Sequence, residues 1–529
     1  MIDRRTVLGA AAATLAATTV RAQSRTVEPP CGPLRGLAGQ GVQAFLGIPY
    51  AAPPVGQLRY ASPKPAPRWS EIRDASRGGA AAIQTIPPWA AWLYETPEHQ
   101  DEDCLFLNVW TPDPAGKRPV MVWIHGGAWR TGRGDAIGSQ GAALAAAGDV
   151  VVVTINYRLG ALGWLAHPAL TDPATGAFAN WGFQDQVLAL RWVQQNIAAF
   201  GGDPGRVTLF GQSAGGTSVA VLAGDQRNAG LIHRMIIESG ALVASPAAPD
   251  VPPAAAYTEA LAKRLGVSVP GLRTVPAPLL HTEELALSRD PAVASARLRS
   301  SVSPVLDGVV MQTWPRDITL PPMPLLIGTT RTEGTFWYDL VGPDGKPIPG
   351  LPAPKDRATL LRMIPDAIAS YRPESAHLDP ETVAQSYESA ARARGEPDGP
   401  VPIWVAIYTD LVFRLRSREA AARHAHAGQP TYLYEFDHPL APPAHGVPHT
   451  AEIPFVFGTY SHPFFAGKVG AGPAEAALSE AVLGAWARFA HDGAPGPDWT
   501  AGMAVNLLGG AALHSVVAQV RPEESAVWS

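Results

Sequence analysis

Residues 211–215 are Gly-Gln-Ser-Ala-Gly, a serine flanked by glycines two positions away on each side. This G-x-S-x-G pattern is typical of enzymes whose nucleophilic serine sits on a sharp turn between a strand and a helix. Because a glycine-rich chain also produces this pattern by chance, the neighbouring segments must show whether it marks a nucleophile. The apolar stretch Val207 to Phe210 precedes it, and an alanine- and valine-rich stretch follows it. The sequence therefore predicts a strand, a turn and a helix, with Ser213 as the nucleophile.

A serine hydroxyl is a weak nucleophile until a base takes its proton. The partners are expected in the chain order serine, acid, histidine. Glu333 and His449 follow Ser213 in that order, and both lie on loops after or between strand-like segments. The residues alone leave open His125 and His445 as the base, and Asp307 and Glu452 as the acid.

The segments around these residues predict an α/β fold with a mostly parallel central sheet flanked by helices. Short apolar runs rich in β-branched residues are typical of strands buried on both faces. Such runs occur at residues 42–48, 105–110, 120–124, 150–156, 207–210 and 235–237, and later at 325–329 and 432–436. Helix-like segments occur at residues 185–199 and 475–491. Strands alternate with helices between residues 105 and 240, which favours parallel pairing.

A looser stretch from about residue 246 to 430 is rich in proline, alanine and arginine. It contains helix-like segments at residues 255–265 and 401–427. We interpret it as a large helical insertion packed over the sheet.

The N-terminus has the layout of a signal peptide. Arg4 and Arg5 precede an apolar stretch from Val7 to Val20, and a small-residue cleavage site ends at Ala22. The apolar stretch is too short to span a bilayer, which needs about 20 residues. We expect residues 1–22 to be a twin-arginine export signal. Residues 23–529 would then form one catalytic domain without a membrane span, in the periplasm or outside the cell.

Composition excludes several classes of protein. A net charge of −5 over 529 residues shows no basic footprint for nucleic acid. No phosphate loop or dinucleotide fingerprint appears, so we expect no cofactor. We also expect no metal site, because His424 and His426, two apart on a helix, should point to different faces and lie in solvent. The only cysteines, Cys31 and Cys104, are too few for a disulfide framework, and geometry decides whether they pair.

From residue 47 to 499 the chain resembles the type B carboxylesterase/lipase family of the α/β-hydrolase superfamily, which also contains the cholinesterases. The motifs that carry the resemblance are Gly47-Ile48-Pro49-Tyr50-Ala51, Glu102-Asp103-Cys104-Leu105-Phe106-Leu107-Asn108-Val109, Asn156-Tyr157-Arg158-Leu159-Gly160 and Phe200-Gly201-Gly202-Asp203-Pro204. The resemblance implies hydrolysis of small to medium carboxylic esters through an acyl-enzyme. It assigns Ser213 as nucleophile, Glu333 as acid and His449 as base.

The resemblance also implies an oxyanion hole. The segment from His125 to Trp129 would supply the backbone N–H groups of Gly127 and Ala128, and Ala214 would supply a third. The alternative is a plain Gly-Gly turn at a strand end. Ala128 replaces a glycine common in the family, and we expect this open loop to admit bulky alcohol groups.

The sequence departs from the family pattern at several positions near the site. Gln212 replaces the glutamate that lies near the cationic ligand in cholinesterases, which disfavours a choline ester. Tyr94 falls near the position of the choline-stacking tryptophan. Ala82 replaces a cysteine, so we expect Cys104 to be a buried free thiol. Ser239 resembles a residue that hydrogen-bonds near the triad, or it simply ends a strand.

Two other functions share parts of this pattern. Amide or thioester hydrolysis uses the same acyl-transfer chemistry, so the sequence leaves it open. Some relatives keep the fold as adhesion proteins but lack the serine. An intact set of Ser213, Glu333 and His449 argues against a binding protein.

Overall fold

A computed structural model describes residues 25–242, 251–291, 293, 302–510 and 512–528. The predicted export signal, residues 1–22, lies outside the described residues. No helix in the described ranges is both long enough and apolar enough to cross a membrane.

The strands are β1 (Thr26–Val27), β2 (Leu34–Arg35), β3 (Leu37–Gly39), β4 (Val42–Pro49), β5 (Arg73–Asp74), β6 (Phe106–Thr111), β7 (Arg118–Ile124), β8 (Val151–Ile155), β9 (Gly202–Gln212), β10 (Arg234–Glu238), β11 (Leu325–Thr330), β12 (Thr431–Phe436), β13 (Val505–Leu508) and β14 (His514–Val517).

The α-helices are α1 (Ala142–Gly148), α2 (Gly160–Trp164), α3 (Trp181–Asn196), α4 (Ala214–Gly224), α5 (Val251–Arg264), α6 (Ala277–Ser288), α7 (Thr335–Tyr338), α8 (Arg357–Tyr371), α9 (Pro380–Arg394), α10 (Pro400–Thr409), α11 (Leu415–His426), α12 (Ile453–Val456), α13 (Pro463–Val469), α14 (Pro473–Asp492) and α15 (Pro522–Ala526). A π-helical turn, Asp410–Arg414, joins α10 to α11.

One eleven-stranded sheet organises the chain, in the order β14-β13-β12-β11-β10-β9-β7-β8-β6-β4-β3. Pairing is parallel from β8 to β13 and antiparallel at both margins. The predicted mostly parallel sheet is therefore confirmed. The carboxyl ends of its central strands share one edge, where α/β proteins collect their ligands.

Both faces of the central sheet are buried. Along β7, Val122 and Ile124 belong to the apolar core on one face, and Met121 and Trp123 belong to the core on the other. Helices cover each face, so alternation between polar and apolar residues is absent from these strands. This explains why the strands are continuous apolar runs in the sequence.

The residues predicted as an insertion fall into two stretches separated by β11. Helices α5 and α6 lie between β10 and β11, and helices α7 to α11 lie between β11 and β12. A separate apolar cluster, which includes Leu360, Tyr387 and Trp404, packs α8, α9 and α10 together. These two helical stretches contribute residues around the site described below.

The prediction of a solvated His424 is wrong. Helix α11 packs against β11 and β12, so its inner face is covered and His424 is buried. His424 Nδ1 lies 2.8 Å from Thr431 Oγ1, and Nε2 lies 3.2 Å from the Pro321 carbonyl. His426, on the outer face, is exposed as predicted.

The two cysteines do not pair. Cys104 is a buried free thiol, as predicted, and Cys31 is a half-buried free thiol. Burial raises the pKa of Cys31 to about 11. Neither thiol is activated as a nucleophile, because that requires a depressed pKa.

Candidate active site

Ser213 stands alone between the end of β9 at Gln212 and the start of α4 at Ala214. Its backbone angles, φ 59° and ψ −123°, lie in a region that side chains other than glycine rarely adopt. A Cβ on Gly215 would lie 2.0 Å from the Ile124 carbonyl oxygen, so only glycine fits there. The turn thus holds the half-buried Ser213 at the carboxyl edge of the sheet.

Glu333 and His449 meet although they lie 116 positions apart in the sequence. Glu333 follows the end of β11, and His449 lies on the loop between β12 and α12. His449 Nδ1–H donates to Glu333 Oε2 over 2.5 Å, and both side chains are buried. The other carboxylate oxygen, Oε1, accepts from Ser239 Oγ at 2.6 Å and from the Thr330 N–H at 2.8 Å. These bonds fix the carboxylate and the imidazole that it orients.

The second ring nitrogen of His449 faces the serine turn. Gln212 Nε2, from the residue before Ser213, lies 3.1 Å from His449 Nε2. Because Nδ1–H donates a hydrogen bond to Glu333, Nε2 is the ring nitrogen that accepts the bond from Gln212. Within the described residues Ser213 Oγ has no hydrogen bond of its own, and catalytic hydrogen bonds often tighten only when substrate binds.

Aromatic rings from the predicted insertion surround the His449 ring. The ring centroids of Trp337 and Phe413 each lie 4.8 Å from that of His449, and the centroid of Phe336 lies 5.7 Å away. They exclude water from the imidazole and so strengthen its electrostatic interactions. None of the three was predicted from the sequence as a site residue. Phe336 and Trp337 follow Glu333 closely enough to have been suspected, whereas nothing in the sequence marked Phe413.

The predicted oxyanion loop leaves β7 and passes against the serine turn. A Cβ on Gly126 would lie 3.0 Å from Ser213 Cβ, so a side chain there would displace the nucleophile. The N–H groups of Gly127 and Ala128 donate no hydrogen bond to any residue that the structure describes. Ala214 is the first residue of α4, where a backbone N–H has no partner within the helix. All three predicted donors are therefore available near Ser213.

The alternative bases are engaged elsewhere. His125 is buried, stacks on Tyr157 with ring centroids 4.4 Å apart, and has Nδ1 2.8 Å from the Gly126 carbonyl. Burial lowers the pKa of His125 to about 4. His445 is exposed, and its Nε2 lies 2.9 Å from Asp339 Oδ2.

The alternative acids do not contact His449 either. Asp307 accepts hydrogen bonds from the backbone N–H groups of residues 309–311. Glu452 is fully buried, and burial together with Glu238 and Glu333 holds its pKa well above the ordinary value. Burial also raises the pKa of Glu238 to about 8, and Trp486 Nε1 donates to it over 2.7 Å.

No cluster of three or more His, Cys, Asp or Glu side chains able to hold a metal occurs among the residues that the structure covers. What remains at the sheet edge is a serine, an oriented imidazole and free backbone donors. This arrangement can activate a hydroxyl and stabilise an oxyanion, which is what acyl transfer requires.

Known proteins share this sequence and fold. Residues 23–506 match the sequence profile of the carboxylesterase family. The chain is 34% identical over 475 residues to the para-nitrobenzyl esterase of Bacillus subtilis (strain 168), covering 88% of this chain and 89% of that protein. It is 34% identical over 517 residues to liver carboxylesterase 1 of Oryctolagus cuniculus, covering 88% and 85%. A solved structure of a PNB esterase superimposes with a TM-score of 0.79 at 30% identity, covering 96% of this chain and 99% of that one.

These matches confirm the resemblance and the α/β-hydrolase fold predicted from the sequence. Family membership, close relatives that are esterases and a shared fold over nearly the whole chain point to the same chemistry. The chain belongs to the carboxylesterase family and is a carboxylic ester hydrolase.

Proposed function

We propose that Ser213, His449 and Glu333 form the catalytic triad of this esterase. The observation that carries the proposal is the buried 2.5 Å bond from His449 to Glu333, which leaves His449 Nε2 beside the serine turn. A histidine oriented on one nitrogen by a carboxylate is poised to accept a proton on the other.

In the proposed reaction, His449 Nε2 takes the proton of Ser213 as Oγ attacks the ester carbonyl. The carbonyl π-bond opens, and the tetrahedral oxyanion is bound by the N–H groups of Gly127, Ala128 and Ala214. His449 then protonates the alcohol oxygen as the C–O bond breaks, leaving an acyl-enzyme. Glu333 stabilises the imidazolium throughout. His449 then takes a proton from water as the water oxygen attacks the acyl carbon. The bond from that carbon to Ser213 Oγ breaks, Oγ receives the proton back from His449, and the carboxylic acid leaves.

The matched variants His449→Ala and His445→Ala test the assignment of the base. The two histidines are four positions apart, but only His449 contacts Glu333. We expect His449→Ala to lower kcat for a p-nitrophenyl ester by roughly 10⁴-fold or more. His445→Ala should retain most of the activity. Equal kcat in the two variants would contradict the proposal.

We propose neutral carboxylic esters as substrates, rather than choline esters. Gln212, a neutral side chain with an exposed fraction of 0%, stands beside His449 where a carboxylate would attract a cation.

Comparing p-nitrophenyl esters with matched anilides separates ester from amide hydrolysis, and dominant anilide cleavage would overturn the assignment. A series of esters with increasingly bulky alcohols tests the Ala128 loop, where we expect turnover of a tertiary-alcohol ester.

We also propose that residues 1–22 direct export to the periplasm or the medium by the twin-arginine route, leaving residues 23–529 as one catalytic domain. The family match begins at residue 23, directly after the proposed cleavage site, which supports this boundary. N-terminal sequencing of the enzyme from fractionated bacterial cells should find a start after Ala22. Replacing Arg4 and Arg5 by lysine should leave the uncleaved chain in the cytoplasm, and unchanged export would contradict the proposed route.

A further inference from the structure

Three successive residues of the oxyanion loop have left-handed backbone angles. The φ angles are 103° at Gly127, 54° at Ala128 and 57° at Trp129. Glycine tolerates such angles, but alanine and tryptophan do so only when their surroundings hold them there. The shape of this loop matters because it aims the N–H groups of Gly127 and Ala128.

Several contacts to the body of the fold hold the loop. The Gly127 carbonyl accepts from the N–H groups of Arg130 and Thr131, each at 3.0 Å. The Trp129 carbonyl accepts from the Gly160 N–H at 2.8 Å. Gln84 makes two hydrogen bonds to the end of the loop. Its Oε1 accepts from the Gly132 N–H at 2.7 Å, and its Nε2 donates to the Gly132 carbonyl at 3.0 Å.

One further contact ties the loop to the helices between β10 and β11. Arg130, two residues after Ala128, donates from Nη1 to Glu284 Oε1 over 2.7 Å. Glu284 lies on α6 and is only 1% exposed. Tyr257, on α5, donates its hydroxyl proton to the same oxygen over 3.1 Å. A buried carboxylate is costly unless it is paired and hydrogen-bonded, so Glu284 holds Arg130 firmly.

We propose that Glu284, acting through Arg130, is a positioning residue for the oxyanion hole. By fixing Arg130 it limits the movement of the strained turn that precedes it, and so keeps the Gly127 and Ala128 N–H groups aimed at the developing oxyanion. The inference rests on the proposed function, since the aim of the loop matters only if the loop binds the oxyanion. If so, residues of α5 and α6 affect the rate of ester hydrolysis in addition to covering the sheet.

The neighbouring glutamate on the same helix provides a matched control. Glu283 pairs with Arg264 over 2.5 Å at a more exposed position, away from the loop. The test compares the wild type, Glu284→Gln and Glu283→Gln in kcat and KM for a p-nitrophenyl ester. It also compares their affinities for a trifluoromethyl ketone, which forms a tetrahedral adduct with an active-site serine. Circular dichroism and thermal unfolding verify that each variant is folded.

We expect Glu284→Gln to lower kcat about 10- to 100-fold with KM changed less than about threefold. Complete loss of one oxyanion donor costs about 10²- to 10³-fold, and a misaimed donor should cost less. Affinity for the trifluoromethyl ketone should fall by a similar factor. Glu283→Gln should match the wild type in all three quantities. A merely structural Glu284 would lower the melting temperature without this selective loss.

Wild-type kcat and ketone affinity in folded Glu284→Gln would overturn the inference. If that variant does not fold, Tyr257→Phe and Arg130→Lys decide the question. Each should weaken the contact and lower kcat at least about threefold with KM nearly unchanged, and wild-type kcat in both would refute the role of the contact. Failure of the proposed function would give a different result: Ser213→Ala would keep full activity, which would rule out the triad.

Discussion

The side chains of Glu333 and Gln212 both lie within hydrogen-bond distance of the His449 ring. Glu333 accepts a hydrogen bond from Nδ1–H. The Gln212 amide nitrogen lies 3.1 Å from Nε2, the atom proposed to deprotonate Ser213, and 3.4 Å from Nδ1. A donor on Nε2 favours the neutral imidazole, whereas a carboxylate there would favour the imidazolium. We therefore expect residue 212 to influence the imidazole that we propose as the base.

Gln212→Glu should move the acid limb of the kcat/KM profile to higher pH. A carboxylate within hydrogen-bond distance of the imidazole stabilises its protonated form, by about one pH unit or more for a buried pair. Because only the unprotonated imidazole acts as base, kcat/KM at pH 6 should fall relative to that at pH 8. The control Gln212→Met removes the donor without adding a charge, so it should move the limb much less than Gln212→Glu does. An unmoved limb in Gln212→Glu would show that residue 212 does not act on the base.

At the scale of single residues, the sequence could predict candidate catalytic side chains but not which of them contact one another. The G-x-S-x-G pattern marked Ser213, and the family resemblance selected Glu333 and His449 among several acids and histidines. Spacing in the sequence could not show that His125 stacks on Tyr157 or that His445 pairs with Asp339, because those contacts depend on how distant loops meet.

Among the elements, the junction of β9 with α4 holds strain at Ser213. Ser213 keeps an unfavourable backbone conformation because the hydrogen bonds of β9, the start of α4 and the close packing of Gly215 fix the chain on both sides of it. Strain of this kind costs about 1–3 kcal/mol and is common at functional sites. The conformation exposes the hydroxyl at the sheet edge.

Ser213→Gly should be more stable than Ser213→Ala. Both variants lack the hydroxyl, but only glycine adopts φ 59° without a steric penalty. We expect the free energy of unfolding, measured with urea, to be about 1–2 kcal/mol larger for the glycine variant. Equal stabilities, or a less stable glycine variant, would show that the turn is not strained.

Most elements and the parallel pairing of the central strands could be predicted from local patterns, but the antiparallel pairing at the margins of the sheet could not. The apolar runs marked the central strands because burial on both faces removes the alternation of polar residues. The runs at residues 42–48 and 105–110 look similar, yet β4 and β6 pair antiparallel with their neighbours. Strand direction depends on connections that span many residues. Burial of His424 likewise depended on which face of α11 meets the sheet.

At the scale of the whole molecule, burial controls the protonation of several groups. His125 lies beneath the oxyanion loop, and its pKa is lowered from 6.5 to about 4. The unfolded chain therefore takes up a proton at this residue near pH 6.5, whereas the folded chain does so only near pH 4. Stability from this group is complete above pH 6.5 and is lost as the pH falls towards 4.

His125→Asn removes this titration while keeping a donor for the Gly126 carbonyl. Each pH unit within the window corresponds to about 1.4 kcal/mol. On going from pH 7 to pH 5, the unfolding free energy of the wild type should therefore fall by about 2 kcal/mol relative to that of the variant. His426→Asn, at an exposed histidine, should show a much smaller shift. A difference that does not change with pH would mean that His125 is protonated normally.

The overall architecture was the most predictable feature of this protein. Length, apolar content and the order of several long motifs indicated a single esterase fold, and the comparisons cover nearly the whole chain. What the chain-wide patterns could not predict is how the two helical stretches reach the site. Trp337, Phe413 and Glu284 lie there only because tertiary packing places them beside His449 and Arg130.

The central claim is that Ser213 carries the acyl group. Mass spectrometry of the enzyme after treatment with a p-nitrophenyl phosphonate, which phosphonylates an activated serine and releases nitrophenolate, tests it directly. We predict one adduct per chain, located on the peptide that contains Ser213, with stoichiometric loss of activity and no labelling of Ser213→Ala. An adduct on another residue that accompanies inactivation, or unimpaired labelling and hydrolysis in Ser213→Ala, would contradict the account.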